Sequence, residues 1–121
     1  MSTKHLRYNI IESIKLLASD GQIQLDYYPD FVCKGDEIAN SLGDWLLLYQ
    51  SQIKVDEKYA FSEEELVQIN NLDIEFLRFN PLDFLDEAIL TSYKWKELRI
   101  KAKEVLDFLK EEYSLPDKKV V

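Results

Sequence analysis

Apolar side chains in the N-terminal segment recur at helical spacing. Four of them follow one another at intervals of four, four and three residues: Leu6, Ile10, Ile14 and Leu17. The run 19–21, Ser-Asp-Gly, comes directly after them and is typical of a helix end. The pattern therefore predicts a first helix near residues 4–18.

Residues 22–28 alternate between apolar and polar side chains, which is the pattern of a half-buried strand. The segment is short, however, no clear partner strand follows it, and Pro29 ends it. We predict a short helix here and keep the strand as the alternative. Farther along, residues 36–42 and 44–53 predict two helical pieces hinged at Gly43. These pieces would share one apolar face, formed by Leu42, Trp45, Leu46, Tyr49 and Ile53.

A capping box marks the start of the next helix. The Ser62 hydroxyl can accept from a first-turn amide, while the Glu65 carboxylate reaches back to the Ser62 amide. Two apolar stripes follow, one ending at Phe79 and the other formed by Val67, Ile74 and Leu77. A helix that is apolar around much of its circumference belongs inside a bundle, so we predict that it occupies the middle.

The C-terminal third contains a proline break and the clearest amphipathic pattern. Asn80-Pro81 ends the preceding helix, and residues 82–90 predict a short connecting helix. A long helix packed by one side follows, with its apolar face formed by Trp95, Leu98, Ala102, Val105, Leu106, Leu109 and Tyr113. Glu97 and Lys101 stand in favourable i,i+4 order on its polar side. Pro116 then predicts the start of a mobile tail over residues 116–121.

These elements predict an all-α fold, a compact bundle of about five to six helices in one domain spanning residues 1–121. The chain of 121 residues is long enough to bury its own core, and it has no repeat or Gly/Ser linker. The N-terminus lacks the pattern of a signal peptide, and the longest apolar run, residues 45–49, is too short to span a bilayer. We expect a cytoplasmic protein that does not bind membranes.

Catalytic chemistry finds little support in the residue types. His5 is the only histidine and lies near the chain end, so a Ser-His-Asp set or a histidine-based zinc site is not expected. Cys33, the only cysteine, is expected to be a small buried residue. One enzymatic alternative stays open: Asp83, Asp86 and Glu87 could converge with residues 63–65 on Mg²⁺ for phosphate hydrolysis. The competing explanation is that these carboxylates complement helix N-termini. We expect a non-enzyme without cofactor or metal.

Charge is distributed unevenly along the chain. The net charge is −8, and counting by segment gives +1 for residues 1–20, −5 for 21–57, −6 for 58–90 and +2 for 91–121. Phosphates would be repelled by so acidic a middle, so nucleic acid is not an expected partner. Either the terminal helices pack across this middle and neutralise it, or it forms a face for a basic protein.

The most acidic and aromatic stretch gives the candidate partner-binding residues. They are Asp26, Tyr27, Tyr28, Asp30, Asp36, Glu37 and Asp44, with Phe31 and Trp45 interleaved. Carboxylates would steer a basic partner and aromatic rings would anchor it. The alternative for Tyr27 and Tyr28 is that one or both rings cover the core.

The runs 26–39 and 44–48 resemble small bacterial proteins of similar size, and the size and acidity of the chain resemble immunity proteins. Immunity proteins are cytoplasmic inhibitors that protect a bacterium from toxins delivered by its own kin. The resemblance implies a stoichiometric binder that blocks a basic toxin domain through an acidic face. A structural protein or homodimer, with the aromatic stripe as its self-interface, is the alternative.

Overall fold

The structure, a computed structural model, describes residues 1–117 and confirms the all-α fold. Within that range it contains six α-helices and no strand. The helices are α1 Thr3–Ala18, α2 Gly21–Tyr27, α3 Lys34–Gln50, α4 Glu63–Asp73, α5 Asp86–Thr91 and α6 Tyr93–Phe108. Three short 3₁₀ segments connect them: Glu57–Tyr59, Ile74–Arg78 and Pro81–Phe84. None of the helices in this described part combines the length and the apolar character that a membrane crossing requires.

Helix α1 lies at the centre of the bundle and packs mainly against α3 and α6. Its apolar stripe is fully buried at Ile10 and Ile14, as the four-residue spacing predicts. The Ser2 hydroxyl accepts a hydrogen bond from the His5 amide and caps the first turn. The prediction of a helix near residues 4–18 is confirmed.

The segment with ambiguous alternation is helical, so the helix prediction for residues 22–28 is confirmed. Helix α2 buries Gln24 and Leu25. The Gln24 side-chain amide donates to the carbonyl oxygens of Leu16 and Leu17, 3.1 and 3.2 Å away, which are left without helical partners at the end of α1. A strand would not bring this side chain back to the end of α1.

Helix α3 is continuous through Gly43, so the predicted hinge is wrong. A glycine costs a helix interior only about 1 kcal/mol, and the burial of Leu42 and Leu46 on either side outweighs that cost. The helix ends at Gln50, which leaves Ile53 outside it and fully exposed. Ile53 therefore does not belong to the apolar face predicted for it.

The capping box that begins α4 is confirmed, because Ser62 and Glu65 exchange both hydrogen bonds. The predicted length and position of the helix are wrong. It ends at Asp73, and the chain tightens into a 3₁₀ segment that places the rings of Phe76 and Phe79 edge-on to Trp95, 5.7 and 5.4 Å between centroids. Helix α1 occupies the middle instead, and the second stripe predicted for α4 is exposed at Val67, Ile74 and Leu77.

The predicted connecting helix over residues 82–90 is divided into two parts. A 3₁₀ turn covers Pro81–Phe84, Leu85 has an extended backbone conformation, and α5 begins at Asp86. Asn80 and Asp83 cap the 3₁₀ turn reciprocally.

The predicted face from Trp95 to Leu109 is buried along α6 and its C-cap, whereas Tyr113 beyond the helix is 44% exposed. Lys101 pairs with Glu75 of the neighbouring 3₁₀ segment at 2.7 Å rather than with Glu97. This interaction joins two elements instead of two turns of one helix.

The first two residues of the predicted tail are packed. Pro116 is buried and Asp117 contacts α1. Residues 118–121 of the predicted tail lie outside the described residues.

Candidate functional site

A surface groove runs where α1, α2 and α3 meet. It consists of two adjoining hollows of about 320 and 200 Å³ that share Tyr28, Ser41 and Trp45 as walls. Four carboxylates line it, those of Glu12, Glu37, Asp44 and Asp117. Four aromatic side chains line it as well, those of Tyr8, Tyr27, Tyr28 and Trp45. We call this feature the acidic groove.

Helical spacing places most of these side chains. Tyr8 and Glu12 are four residues apart on α1, so they lie one turn apart on the same face. On α3, Glu37, Ser41 and Trp45 follow at intervals of four for the same reason. Because α1 packs against α3, these two rows form opposite walls.

Two carboxylates converge on the Tyr8 hydroxyl. Glu12 Oε1 lies 3.1 Å from the hydroxyl oxygen, and Asp117 Oδ2 also lies within hydrogen-bonding distance of it. The Asp117 amide donates to Glu12 Oε1 at 3.4 Å, which holds the C-terminal segment against α1. The hydrogen bond to Asp117, burial and the charge of Glu12 raise the pKa of Tyr8 above its ordinary value. A tyrosine hydroxyl has one proton, so it can donate to only one of these carboxylates at a time.

The second oxygen of Glu12 is buried and has no hydrogen-bond partner among the described residues. Lys15 Nζ lies 3.7 Å from it, too far for a hydrogen bond, and donates to Ser114 Oγ at 3.0 Å instead. The Glu12 carboxylate thus retains unused capacity to accept hydrogen bonds.

Tyr27 and Tyr28 form the next part of the wall, with their rings edge to face and their centroids 4.9 Å apart. Burial raises the pKa of Tyr27, and the charges of Glu12 and Asp117 raise it further. Burial also raises the pKa of Tyr28 to about 12, with smaller contributions from Tyr27 and Glu37 and an opposing hydrogen bond from Ser41. Both phenols therefore stay protonated farther into the alkaline range than an ordinary tyrosine.

At the narrower end of the groove, Glu37 and Asp44 lie on exposed positions of α3 on either side of Ser41. The Trp45 ring is half-buried and meets His5 edge to face, 5.8 Å between centroids. The acidic character continues beyond the groove to Asp73 of α4. Burial and the nearby charge of Asp44 raise the pKa of that carboxyl group.

The structure divides the seven predicted partner-binding residues. Four of them line the acidic groove: Tyr27, Tyr28, Glu37 and Asp44. The other three, Asp26, Asp30 and Asp36, are exposed outside it. Asp26 accepts from the Gln22 side chain, Asp30 pairs with Lys34 at 3.1 Å, and Asp36 borders a separate hollow beside Phe84.

Tyr28 also requires a correction. Only 6% of the residue is exposed, so its ring covers the core and is not free to anchor a partner. Phe31, at 77%, is the exposed aromatic residue of this stretch. Cys33 is likewise not the buried residue that was expected, because it lies exposed at the cap of α3.

Of the acidic and aromatic residues that line the groove, three were not predicted from the sequence: Tyr8, Glu12 and Asp117. The i,i+4 spacing of Tyr8 and Glu12 on the polar side of α1 was the available signal for two of them. Nothing local connects Asp117 to Glu12, since the two residues are 105 positions apart.

Two of the carboxylates considered for a magnesium site, Asp83 and Glu65, have other contacts. Asp83 accepts from Lys94 Nζ at 2.7 Å, an interaction that lowers the pKa of the aspartate, and it also accepts from the Asn80 amide. Glu65 accepts from the Ser62 amide. Over residues 1–117, no three His, Cys, Asp or Glu side chains are grouped so that they could hold a metal ion.

Chemically, the acidic groove is complementary to organic cations. Carboxylates accept charge-assisted hydrogen bonds from ammonium and guanidinium groups, and aromatic faces attract the same cations. No family model, curated protein or solved structure matches this chain.

Proposed function

We propose that the chain is a non-enzymatic protein-binding module, an immunity-type inhibitor that binds and blocks a basic toxin domain through the acidic groove. The observation that carries this proposal is the composition of the groove. Among its described lining residues are four carboxylates and no Lys, Arg or His. A concave surface with charge of one sign concentrates its field and attracts a partner of the opposite sign.

Aromatic and acidic groups have separate tasks in such a complex. Glu37 and Asp44 are exposed and would accelerate the encounter with a basic surface. Tyr8, about half exposed, and Trp45 would bury apolar area once the partner is bound, which is the contribution that tyrosine and tryptophan make at interfaces. An inhibitor of this kind acts stoichiometrically, by covering the working surface of its partner.

The test starts by identifying the partner by affinity capture from the source cell and then measuring its binding to purified variants. Glu37→Lys/Asp44→Lys reverses two charges in the groove, and Glu104→Lys/Asp107→Lys makes the same change in charge at exposed positions of α6. A basic protein should bind one to one. The groove variant should weaken binding on the order of a hundredfold, and the α6 variant should weaken it far less.

Salt and growth provide two further readouts. Raising the salt concentration from about 0.05 to about 0.5 M should weaken the complex, because screening shortens the reach of exposed charges. Expression of the captured partner should stop bacterial growth, and coexpression of this chain should restore it. Binding that resists salt and charge reversal both in the groove and at Asp26, Asp30 and Asp36 would refute the electrostatic mechanism. Capture of a harmless partner would refute the immunity role.

Self-association is the second candidate, and exposed apolar side chains favour it. Large aliphatic residues lie on the surface beyond the end of α3 and along α4 and the segment after it: Ile53, Val67, Ile74 and Leu77. Exposed apolar residues that form a continuous patch commonly mark an interface. Sedimentation at high protein concentration distinguishes the candidates, since a monomer would exclude a homodimer as the working form.

A further inference from the structure

We propose that the wider hollow of the acidic groove receives an arginine side chain of the basic partner. This inference rests on the proposed function and specifies the group that the partner inserts. The hollow lies between Glu12 and Tyr8 of α1, Tyr27 at the end of α2, Trp45 of α3 and the returning Asp117.

The first argument is the local excess of hydrogen-bond acceptors. Glu12 and Asp117 both face the one proton of the Tyr8 hydroxyl, and the Asp117 amide adds a long hydrogen bond of 3.4 Å to Glu12 Oε1. Glu12 Oε2 is in addition buried without a hydrogen-bond partner among the described residues. Lys15 Nζ forms an ion pair with it at 3.7 Å and so compensates part of the negative charge, but Lys15 does not line the hollow. Two carboxylates held this close repel one another unless a cation or a proton lies between them. A guanidinium group brings one positive charge and five N–H donors to this place.

The second argument is the shape and lining of the hollow. Its volume of about 320 Å³ is at the lower end of the range for ligand pockets, roughly 300 to 1,000 Å³. Tyr8, Tyr27 and Trp45 line the hollow together with the carboxylates. A planar guanidinium can stack on such rings while its edge donates to a carboxylate, and a lysine ammonium cannot do both equally well. Arginine is therefore the favoured side chain.

The experiment is a ¹H–¹⁵N NMR titration of the intact chain with Nα-acetyl-argininamide. The chain has two tryptophans, and their indole N–H peaks provide an internal control. Trp45 lines the hollow, whereas Trp95 is fully buried and donates its indole N–H to the Asp83 carbonyl oxygen at 2.8 Å. We expect the Trp45 peak to move and saturate with a dissociation constant on the order of millimolar, while the Trp95 peak stays in place.

Two matched probes separate charge from shape. Nα-acetyl-citrullinamide is nearly isosteric with the arginine probe but neutral, and Nα-acetyl-lysinamide carries the charge without the planar fork. The neutral probe should leave the Trp45 peak unmoved, and the lysine probe should bind more weakly than the arginine probe. Equal shifts by the neutral probe would overturn a cation site, and equal or tighter binding of the lysine probe would overturn the assignment to arginine.

Variants then assign the binding to the two carboxylates. Glu12→Gln keeps the size of the side chain and removes its charge. It should lower the affinity for the arginine probe on the order of tenfold. Glu104→Gln makes the same change at an exposed position of α6 and should have no effect. Asp117→Asn is the second groove variant in case Glu12→Gln fails to fold, and it should lower the affinity for the arginine probe by a similar factor. Unchanged affinity in the folded groove variants would overturn the inference.

The outcome can be separated from that of the proposed function. If the arginine probe does not bind but Glu37→Lys/Asp44→Lys weakens binding of the captured partner, the arginine pocket is refuted and the protein-binding function stands. If the probe binds as expected but the captured partner is neither basic nor sensitive to the groove variant, the pocket stands as a guanidinium site and the proposed function fails.

Discussion

The backbone of Phe84 lies directly against Gly35 of α3. A Cβ atom at position 35 would lie 2.8 Å from the carbonyl carbon and 2.9 Å from the Cα of Phe84. These are backbone atoms, which cannot rotate aside as a side chain does. Gly35 does not have a positive φ, so the close approach rather than the backbone conformation requires glycine here.

Replacing this glycine should therefore destabilise the fold. Gly35→Ala is expected to lower the free energy of unfolding by about 1 to 3 kcal/mol, because the 3₁₀ turn Pro81–Phe84 must move away from α3. Gly43→Ala is the matched control in the same helix. Its Cβ would meet only the end of the Asp73 side chain, at 3.2 Å, and alanine favours a helix interior. Urea denaturation of both variants checks this, and equal losses would contradict the backbone contact.

Gln24 joins the end of α1 to α6. Its side chain is fully buried, donates to two carbonyl oxygens of α1 and accepts from Arg99 Nη2 at 2.9 Å. Gln24→Met keeps the size but removes one hydrogen-bond partner from each of those carbonyls and from the guanidinium, which keeps its bond to the Ile89 carbonyl oxygen. The free energy of unfolding should therefore fall by about 1 to 3 kcal/mol. Gln22→Met, at an exposed position of the same helix, should change it by less than about 0.5 kcal/mol. A small effect at Gln24 in thermal or chemical unfolding would show that water replaces these bonds.

Asp73 is a charge in an unfavourable place. It ends α4, where a negative charge opposes the helix dipole, and burial together with the charge of Asp44 raises the pKa of its carboxyl group above the ordinary 3.8. Asp73→Asn should increase the free energy of unfolding at neutral pH by about 0.3 to 1 kcal/mol. Asp107→Asn is the control, because Asp107 is exposed in the last turn of α6 and tests the dipole effect alone. It should increase the free energy of unfolding by less than Asp73→Asn does.

The pH dependence of the Asp73→Asn effect has a definite sign. Because folding raises the pKa, the folded wild-type chain binds the proton more readily than the unfolded chain. The wild type therefore regains stability as the pH falls through the folded pKa toward 3.8, and the advantage of the variant should shrink over that range. An advantage that is independent of pH would show that the carboxylate charge is not its cause.

The raised pKa of Tyr28 predicts that the fold loses stability at alkaline pH. Its pKa of about 12 exceeds the ordinary 10.0, so between these values the unfolded chain releases a proton that the folded chain keeps. The contribution of this tyrosine to stability is complete below pH 10 and decreases as the pH rises toward 12. Tyr28→Phe should make the alkaline decline of the unfolding free energy shallower than in the wild type.

A second variant tests one contribution to the pKa of Tyr28. The hydrogen bond from Ser41 opposes the rise in the pKa of Tyr28, so Ser41→Ala should move the titration of this phenol to higher pH. The titration can be followed by NMR of ring-labelled tyrosine. A shift to lower pH, or none, would contradict the assigned hydrogen bond.

The position of several helices followed from the sequence because their signals are local. The capping box at Ser62 and the four-residue stripe of α1 involve residues within one or two turns of each other, and both are present as predicted. Helix ends that depend on distant packing were not predictable. The hinge expected at Gly43 is absent because Leu42 and Leu46 on either side of it are buried in one continuous helix. Helix α4 stops early because the rings after it pack on Trp95.

The acidic groove was only half visible in the sequence. The order of residues identified an acidic, aromatic stretch, and Tyr27, Glu37 and Asp44 of that stretch do line the groove. The order of residues could not show that Tyr28 is buried or that Asp26 and Asp30 lie outside the groove.

By itself, then, the sequence determined the helical class, most helix starts and the acidity of the middle segment, since propensity, capping and net charge depend on residue type and short spacing. Only the tertiary structure decided which acids act together. Asp117 reaches Glu12 and Tyr8 because α6 packs along α1 and returns the C-terminal segment to it, a contact across more than a hundred residues. Charges so far apart along the chain become one site only when packing brings them together.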